Sequence, residues 1–358
     1  MKVLQIIPDL GIAGAEVMCT HLSLDLASRP NVEVTVVSLF SITSSLTEML
    51  ENQGIKVLYL DKKLGVDISM LWKLYQIMKK EHYDVVHTHR SALQYAAPAA
   101  IMARIKVRVH TIHNVAEKDV NVNQRKLHNY LFRHHNVTPV AISPIVLNTV
   151  CREYNLSADC VPMIYNGIDL SRCQVKKDYQ KGSSALKVIH VGRFQDQKNH
   201  FCIIDAIKKV TAQKIPIEVY FYGEGPLQDD CEKYVKTLNL QNYVHFCGVS
   251  DNIYPHLRDA DVFILPSKYE GMPISLIEAM GTGLPIVCSA VGGMPDMIRD
   301  GVNGILINPN SDELAAALIK FHRDEIIREQ CGKQALKDSV NYSVKNMTEN
   351  YLRVYKIY

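Results

Sequence analysis

Twelve short runs rich in Val and Ile alternate with stretches of helical periodicity, and this alternation constrains the chain more than any other feature. In the first half, Lys2 to Pro8, Glu33 to Phe40, Lys56 to Leu60, Asp84 to Thr88, Val107 to His113 and Val137 to Ser143 read as strands that are apolar on both faces. Helical patterns lie between them, near residues 14 to 28, 44 to 53, 68 to 81, 91 to 103, 122 to 135 and 144 to 154. A strand that is apolar on both faces belongs in a parallel sheet covered by helices on either side. Ligands of such a sheet sit beyond the C-terminal ends of its strands. The polar stretch Lys176 to Ser184 has no apolar period and reads as a linker. A second series of strands follows, near 186 to 191, 217 to 222, 243 to 246, 261 to 265, 285 to 288 and 304 to 307. The reading is therefore α/β, with two doubly wound domains at 1–170 and 186–340, a hinge at 171–185 and a closing helix at 341–358.

Composition narrows the class. With 47% apolar and 22% charged residues the chain is an ordinary globular one, and a formal net charge of +3 is too small to imply nucleic acid. Its nine cysteines are odd in number and contain no Cys-x-x-Cys pair, which favours reduced thiols and a cytoplasmic location over a disulfide framework or a zinc site. The opening MKVLQIIPDLG reads as a buried strand rather than a signal peptide, and no run approaches the length of a membrane span.

The stretch Ser267 to Gly283, SKYEGMPISLIEAMGTG, carries the most chemistry. Proline is favoured at the first helical position, so a helix is expected to start at Pro273 and to end at Gly281 and Gly283. Glu270 then lies in the loop before the helix, and Glu278 about 7 to 8 Å along its axis. A helix N-terminus, here the backbone around Gly271, Met272, Pro273 and Ile274, attracts phosphate. Carboxylates repel phosphate but accept hydrogen bonds from hydroxyls. Together they fit a diphosphate with sugar at both ends, although a bare Glu-x7-Glu spacing also suits an ordinary strand-loop-helix with two surface glutamates.

Other strand ends add to this. Leu186 to Val191 leads into Gly192 and Arg193, with Lys198 five residues after the arginine, two cations that can neutralise a diphosphate. Gly223 and Gly248, the latter followed by Val249, break two further strand ends and are candidates for holding a base. Met294 to Arg299 and Gly301 to Gly304 are expected on the same rim. In the first domain, Gly11-Ile12-Ala13-Gly14 opens a helix without the full dinucleotide fingerprint. It reads as a loop for close approach of a phosphate or acceptor, or as a plain tight turn. His113 ends the fifth strand, placed to reach the cleft, and His87, His89 and His110 read as polar lining of that cleft rather than as metal ligands. Asp259-Ala260-Asp261 has a metal-binding spelling but opens a strand at the wrong end, and Asp229 and Asp230 lie in a polar helix, so no metal site is expected. Residues 122 to 135 set Leu127, Tyr130 and Leu131 beside Arg125, Lys126 and Arg133. They read either as a face that touches an anionic membrane weakly or as a helix with a solvated basic side.

The ordered set from Arg193 and Lys198 through YGEGPL, HFCGVSDN and ADVFILPSKYEGMPISLIEAMGTGLPIVCSAVGGMPDMIRDGVNGILINP resembles glycosyltransferase family 4, over nearly the whole chain and most strongly from about 187 to 320. The resemblance implies retaining, nucleotide-sugar-dependent enzymes of GT-B fold, with two Rossmann-like domains facing each other across a cleft and a last helix, about Val344 to Tyr358, crossing back to the first domain. It implies that Glu270 contacts the donor sugar, Glu278 the ribose hydroxyls, and Arg193 and Lys198 the diphosphate. His113 matches a histidine near the donor sugar, and Gly14 the glycine loop of the acceptor domain. GIAGAE departs from a tighter glycine pair, and Asp296 stands where the family more often has Glu. The expected activity is transfer from a nucleotide donor, uridine-linked, to a hydroxyl of a glycan or lipid-linked acceptor in surface polysaccharide synthesis, without cofactor or metal. Peripheral contact with the inner face of a membrane accompanies such acceptors. Two rivals are a sugar-nucleotide epimerase on the same fold and a catalytically idle sugar-nucleotide binder.

Overall fold

The computed structural model describes residues 1–180 and 185–356. They form two compact units, Met1–Ile168 with the C-terminal segment from Tyr342, and Asp169–Asn341. The first unit holds a six-stranded parallel sheet of β1 (Lys2–Ile7), β2 (Glu33–Ser38), β3 (Lys56–Tyr59), β4 (Val85–His89), β5 (Val107–Ile112) and β6 (Val137–Ala141), in the order β3-β2-β1-β4-β5-β6. The second repeats the plan with β7 (Leu186–Val191), β8 (Ile217–Tyr222), β9 (Val244–Phe246), β10 (Val262–Leu265), β11 (Ile286–Ser289) and β12 (Ile305–Ile307), in the order β12-β11-β10-β7-β8-β9. The expected strands are all present, several ending one or two residues earlier because the apolar run continues into the buried start of the following loop, as at Leu39 and Leu60.

Both faces of each sheet are covered. In the first unit Leu4, Ile6 and Val37 pack with Leu74, Ala96 and Ala100 from the flanking helices; in the second Val188, Phe221 and Ile264 pack with Ile203, Ile207 and Leu318. Burial of each of the Val, Leu, Ile and Phe side chains among these contributes about 1.5–3 kcal/mol. Strand order reverses between β1 and β4 in one sheet and between β7 and β10 in the other, which puts the ligand-binding crevice of each sheet beside those strand ends.

Two boundaries differ from the sequence reading. The segment before β7 is not a free linker: Lys176 is buried against Asp261, with Nζ 3.5 Å from Oδ1, and the Tyr179 hydroxyl donates to the Gly283 carbonyl at 2.8 Å. Arg328, fully buried, donates through Nη2 to the Tyr179 carbonyl at 2.6 Å. Isolated buried polar groups such as these leave no apolar period to read. The rest of the expected linker, 181–184, lies outside the described residues. The last helix runs Val344–Tyr355 and packs on the first unit against the Gly14–Ala27 helix, while the final two residues of its expected span lie outside the described residues. Its entry is fixed at Gly167, where a Cβ would stand 2.5 Å from the Ser343 carbonyl oxygen. All nine cysteines are free, and no helix among the described residues is long and apolar enough to cross a membrane.

Candidate functional site

In the second unit the loops after β7 and β10 meet at the strand-order reversal. After β7 the chain passes Gly192 and Arg193 and makes a tight turn over Asp196–Lys198. A Cβ on Gly192 would stand 3.2 Å from the Lys198 side chain, so glycine lets the lysine stem fold back across the strand end. Asn199, with φ of 59°, ties the two loops together by donating through Nδ2 to the Pro266 carbonyl at 3.1 Å. Lys198 Nζ then lies 2.7 Å from Glu270 Oε1, and Gln197 Nε2 donates to Glu270 Oε2 at 3.2 Å. Glu270 is 5% exposed. A carboxylate so held cannot swing, which suits it to read the hydroxyls of a ligand by position. Arg193, by contrast, is exposed, and its side chain makes no ion pair among the described residues.

The helix after this loop begins one residue later than expected. Pro273 has φ −72° and ψ 127°, so it is the capping residue and Ile274 the first helical one. Its ring fixes φ, but its ψ is extended, a degree of freedom proline does not set. No side chain caps the helix, so its leading N–H groups are open to an anion. Gly281 does not end it: the helix continues to Thr282, and Gly281 is where Cys173 and Leu170 pack closely, while Gly283 closes the helix with φ of 79°. Glu278 lies on this helix, half-buried, accepting a hydrogen bond from the Tyr254 hydroxyl. Burial pushes its carboxyl up from 4.5 to about 7, against the opposing pull of Arg172.

The neighbouring turns are stitched to this crevice. Gly192 N–H donates to the Tyr222 carbonyl at 2.9 Å, and Gly223 N–H to the Gly248 carbonyl at 2.8 Å. Gly223 has φ of 136° and lies so close to Gly192 that a Cβ would fall 2.3 Å from the Gly192 oxygen. Gly248 has φ of 69° with open space around it, and Val249 beside it is 47% exposed, leaving an accessible apolar edge. Gly271 accepts from Gly293 N–H at 2.9 Å, and Met272 and Ile274 are buried. Met294–Met297 follows β11 on this rim, but Gly301 to Gly304 does not. It precedes β12 at the opposite ends of the strands, where Arg299 pairs with Asp338 at 2.8 Å. The turn chemistry alone could not tell one rim from the other. Asp261, the second acid of the D-x-D spelling, is occupied by Lys176 and by the Lys187 N–H, and Asp229 and Asp230 lie in the Gln228–Thr237 helix.

The first unit gathers its own polar groups at the β1/β4 reversal. Gly11 N–H donates to Asp9 Oδ1 at 3.0 Å, and the Gly14–Ala27 helix opens at Ala13 without a side-chain cap. Glu16 in its first turn is 1% exposed and pairs with Arg90, while its Oε2 has no partner among the described residues. His113 N–H donates to Asp119 Oδ1 at 3.2 Å, and burial raises that carboxyl from 3.8 to about 7.

His113 Nε2 lies 3.0 Å from His89 Nδ1, and His89 Nε2 is 3.0 Å from Gln5 Oε1. Gln5 and His87 Nδ1 both reach the Tyr355 hydroxyl of the C-terminal helix, at 3.4 and 2.7 Å. His87, His89 and His110 thus do not line an open surface. All three are fully buried, His87 and His89 in a hydrogen-bonded chain beneath that helix and His110 against Thr88, His128 and Phe132, and burial holds their imidazoles neutral, well below the usual histidine range. No local pattern signals this, because the Tyr351 and Tyr355 partners lie more than two hundred residues away. Also missed were Gln197, Arg172 and Tyr254, whose types are too common in loops to stand out.

Residues 172–338 match the family model described as Glycosyl transferases group 1, and residues 12–172 that of Glycosyltransferase Family 4. The chain is 29% identical over 325 residues to the UDP-Gal:alpha-D-GlcNAc-diphosphoundecaprenol alpha-1,3-galactosyltransferase of Escherichia coli, covering 83% of this chain and 82% of that protein. It is 26% identical over 311 residues to the N-acetyl-alpha-D-glucosaminyl L-malate synthase of Bacillus anthracis, covering 81% and 78%. Its fold is that of Anabaena Alr3699/HepE, solved in complex with UDP and glucose, with a TM-score of 0.86 at 21% identity over 99% of this chain and 98% of that one.

Proposed function

Because the chain belongs to the family 4 glycosyltransferases and has their GT-B fold, we propose that it moves a hexose from a uridine diphosphate donor to a hydroxyl of a glycan or lipid-linked acceptor, with retention at the anomeric carbon. The observation that carries the reading is the Lys198–Glu270 pair at 2.7 Å beside an uncapped helix N-terminus at a strand-order reversal. A cation, an anion-binding helix end and a fixed hydroxyl acceptor converge there. The E. coli relative is named for UDP-Gal and a diphosphoundecaprenol acceptor, and the Anabaena structure holds UDP with glucose, which support the donor and acceptor classes.

In this mechanism the acceptor oxygen bonds to the anomeric carbon as the bond from that carbon to the β-phosphate oxygen breaks. The acceptor's proton passes to the departing phosphate on the same face, and retention follows. Negative charge grows on the diphosphate, so Arg193, Lys198 and the N–H groups at Ile274 stabilise the transition state more than the bound donor. Those groups take the charge without a metal. Glu270 orients the sugar, Glu278 the ribose, the turns at Gly223 and Gly248 the base, and His113 with the Gly11–Gly14 loop serves the first unit's part of the reaction.

The test is turnover of a UDP-sugar panel with glycan and lipid-linked acceptors, with the product anomer assigned by NMR. An α-linked product from an α-donor supports the reading, and a β-linked product contradicts retention. Conversion of donor alone to an epimer would instead establish the epimerase, and binding without turnover across the panel the idle binder.

A further inference from the structure

The Val122–His134 helix presents only part of the face that its sequence offers. Leu131 is in the core and Arg125 pairs with Glu153 at 3.0 Å, while Val122 and Tyr130 stay exposed beside Lys126 and Arg133. A different surface of the same unit carries a concentrated apolar exposure. Leu64 is 92% exposed, Val66 84%, Ile68 76% and Trp72 55%, on the loop after β3 and the first turn of the Ser69–Glu81 helix. Clusters of this kind on a folded protein mark an interaction site.

This loop is held, not slack. Lys62 Nζ donates to the carbonyls of Lys63 and Gly65 at 2.8 and 2.6 Å and lies over the rings of Phe40 and Tyr95. Asp67 accepts from the N–H groups of Lys63 and Ser69 at 3.0 and 3.1 Å, and its own N–H donates to the Tyr95 hydroxyl at 3.1 Å. Gly65, at φ of 79°, makes the turn that projects Leu64 and Val66. The helix cannot roll to hide Trp72, since Met70, Leu74 and Met78 on its other face are fixed in the core. Much of the ordering cost of docking is therefore already met before contact.

The surrounding charge selects the occupant. Lys63 and Lys73 are exposed near the apolar tip, and Lys79 and Lys80 are exposed in the last turn of the same helix. The local acids are engaged: Asp67 within the loop, Asp61 with Ser41, and Glu81 with Lys56 at 3.6 Å. Apolar side chains and an indole at the boundary, with lysines along the same loop and helix, match the interface of an anionic bilayer. A second copy of the chain would bring like charge against like.

We propose that the Lys62–Ile68 loop and the outward face of the Ser69–Glu81 helix seat this protein on an anionic lipid surface. The inference does not depend on the reaction assigned above. Trp72 is the only tryptophan, so its emission reports on this surface directly. With vesicles of about three parts phosphatidylcholine to one part phosphatidylglycerol, the protein should co-float and its emission should shift to the blue. The double variant Leu64→Asp/Val66→Asp should bind at least about tenfold more weakly. It should keep the wild-type melting temperature, whereas Lys126→Glu on the other helix should bind as wild type. Absence of co-flotation would overturn the proposal, as would co-flotation with unshifted emission and an unimpaired double variant. So would a dimer in solution that the double variant dissolves, found together with no binding to vesicles.

Discussion

Lys198 Nζ stands 2.7 Å from Glu270 Oε1, so the cation assigned to the diphosphate also holds the carboxylate assigned to the sugar. The two should act as one unit. Lys198→Ala and Glu270→Ala should each lower kcat by about 10²-fold or more, and the double variant should lose much less than the product of the two, a coupling of about 1–3 kcal/mol. Turnover of the three variants with one confirmed donor decides this, and strictly multiplicative losses would contradict it.

Gly292 supports Glu270 from behind. At φ of 59°, a Cβ there would fall 1.9 Å from the Glu270 carbonyl oxygen, so Gly292→Ala must move the backbone of the residue proposed to read the sugar. A loss of about 2 kcal/mol or more in urea unfolding is expected, with reduced turnover. An unchanged midpoint would show that the close approach is not maintained.

Glu278 supplies a pH dependence. Its carboxyl is raised from 4.5 to about 7 in the folded chain, so the native state holds the proton more tightly than the unfolded one. Stability is then greatest below about 4.5 from this group and falls as pH rises through 7, by about 1–3 kcal/mol in all. Glu278→Gln should flatten that slope in unfolding measured between those limits. Asp119, raised from 3.8 to about 7, makes a parallel contribution in the first unit that Asp119→Asn should remove. Equal slopes in wild type and both variants would refute these ionisation states.

Tyr355 links the C-terminal helix to the buried imidazoles through His87 and Gln5. Tyr355→Phe leaves His87 Nδ1 without its hydroxyl partner in a site closed to water, at a cost of about 1–3 kcal/mol. Thermal unfolding should show the loss, and wild-type stability would mean that the hydroxyl carries no weight in the packing of this helix.

Much of this was legible in the sequence because periodicity survives in every strand. The runs rich in Val and Ile alternate with helical patterns in both halves, which is the signature of a covered parallel sheet. The strand-end positions of Gly192, Arg193, Lys198 and Glu270 followed from the same pattern. What the pattern could not carry was pairing at a distance. Lys176 with Asp261, Tyr355 with His87, and Gly292 under Glu270 join residues far apart in the chain through single contacts. The projecting loop at Leu64 escaped notice for a related reason. Its apolar residues continue the rhythm of a buried segment, and only the helix packing shows that they face outward.

Calorimetric titration of UDP and of uridine into wild type and Arg193→Ala tests the central claim most directly. If the exposed guanidinium grips the diphosphate at the Lys198–Glu270 crevice, the substitution should weaken UDP by about 10- to 100-fold. Uridine, which lacks the phosphates, should bind both forms alike. Equal affinity of both forms for UDP, or an equal loss for uridine, would contradict the site as described.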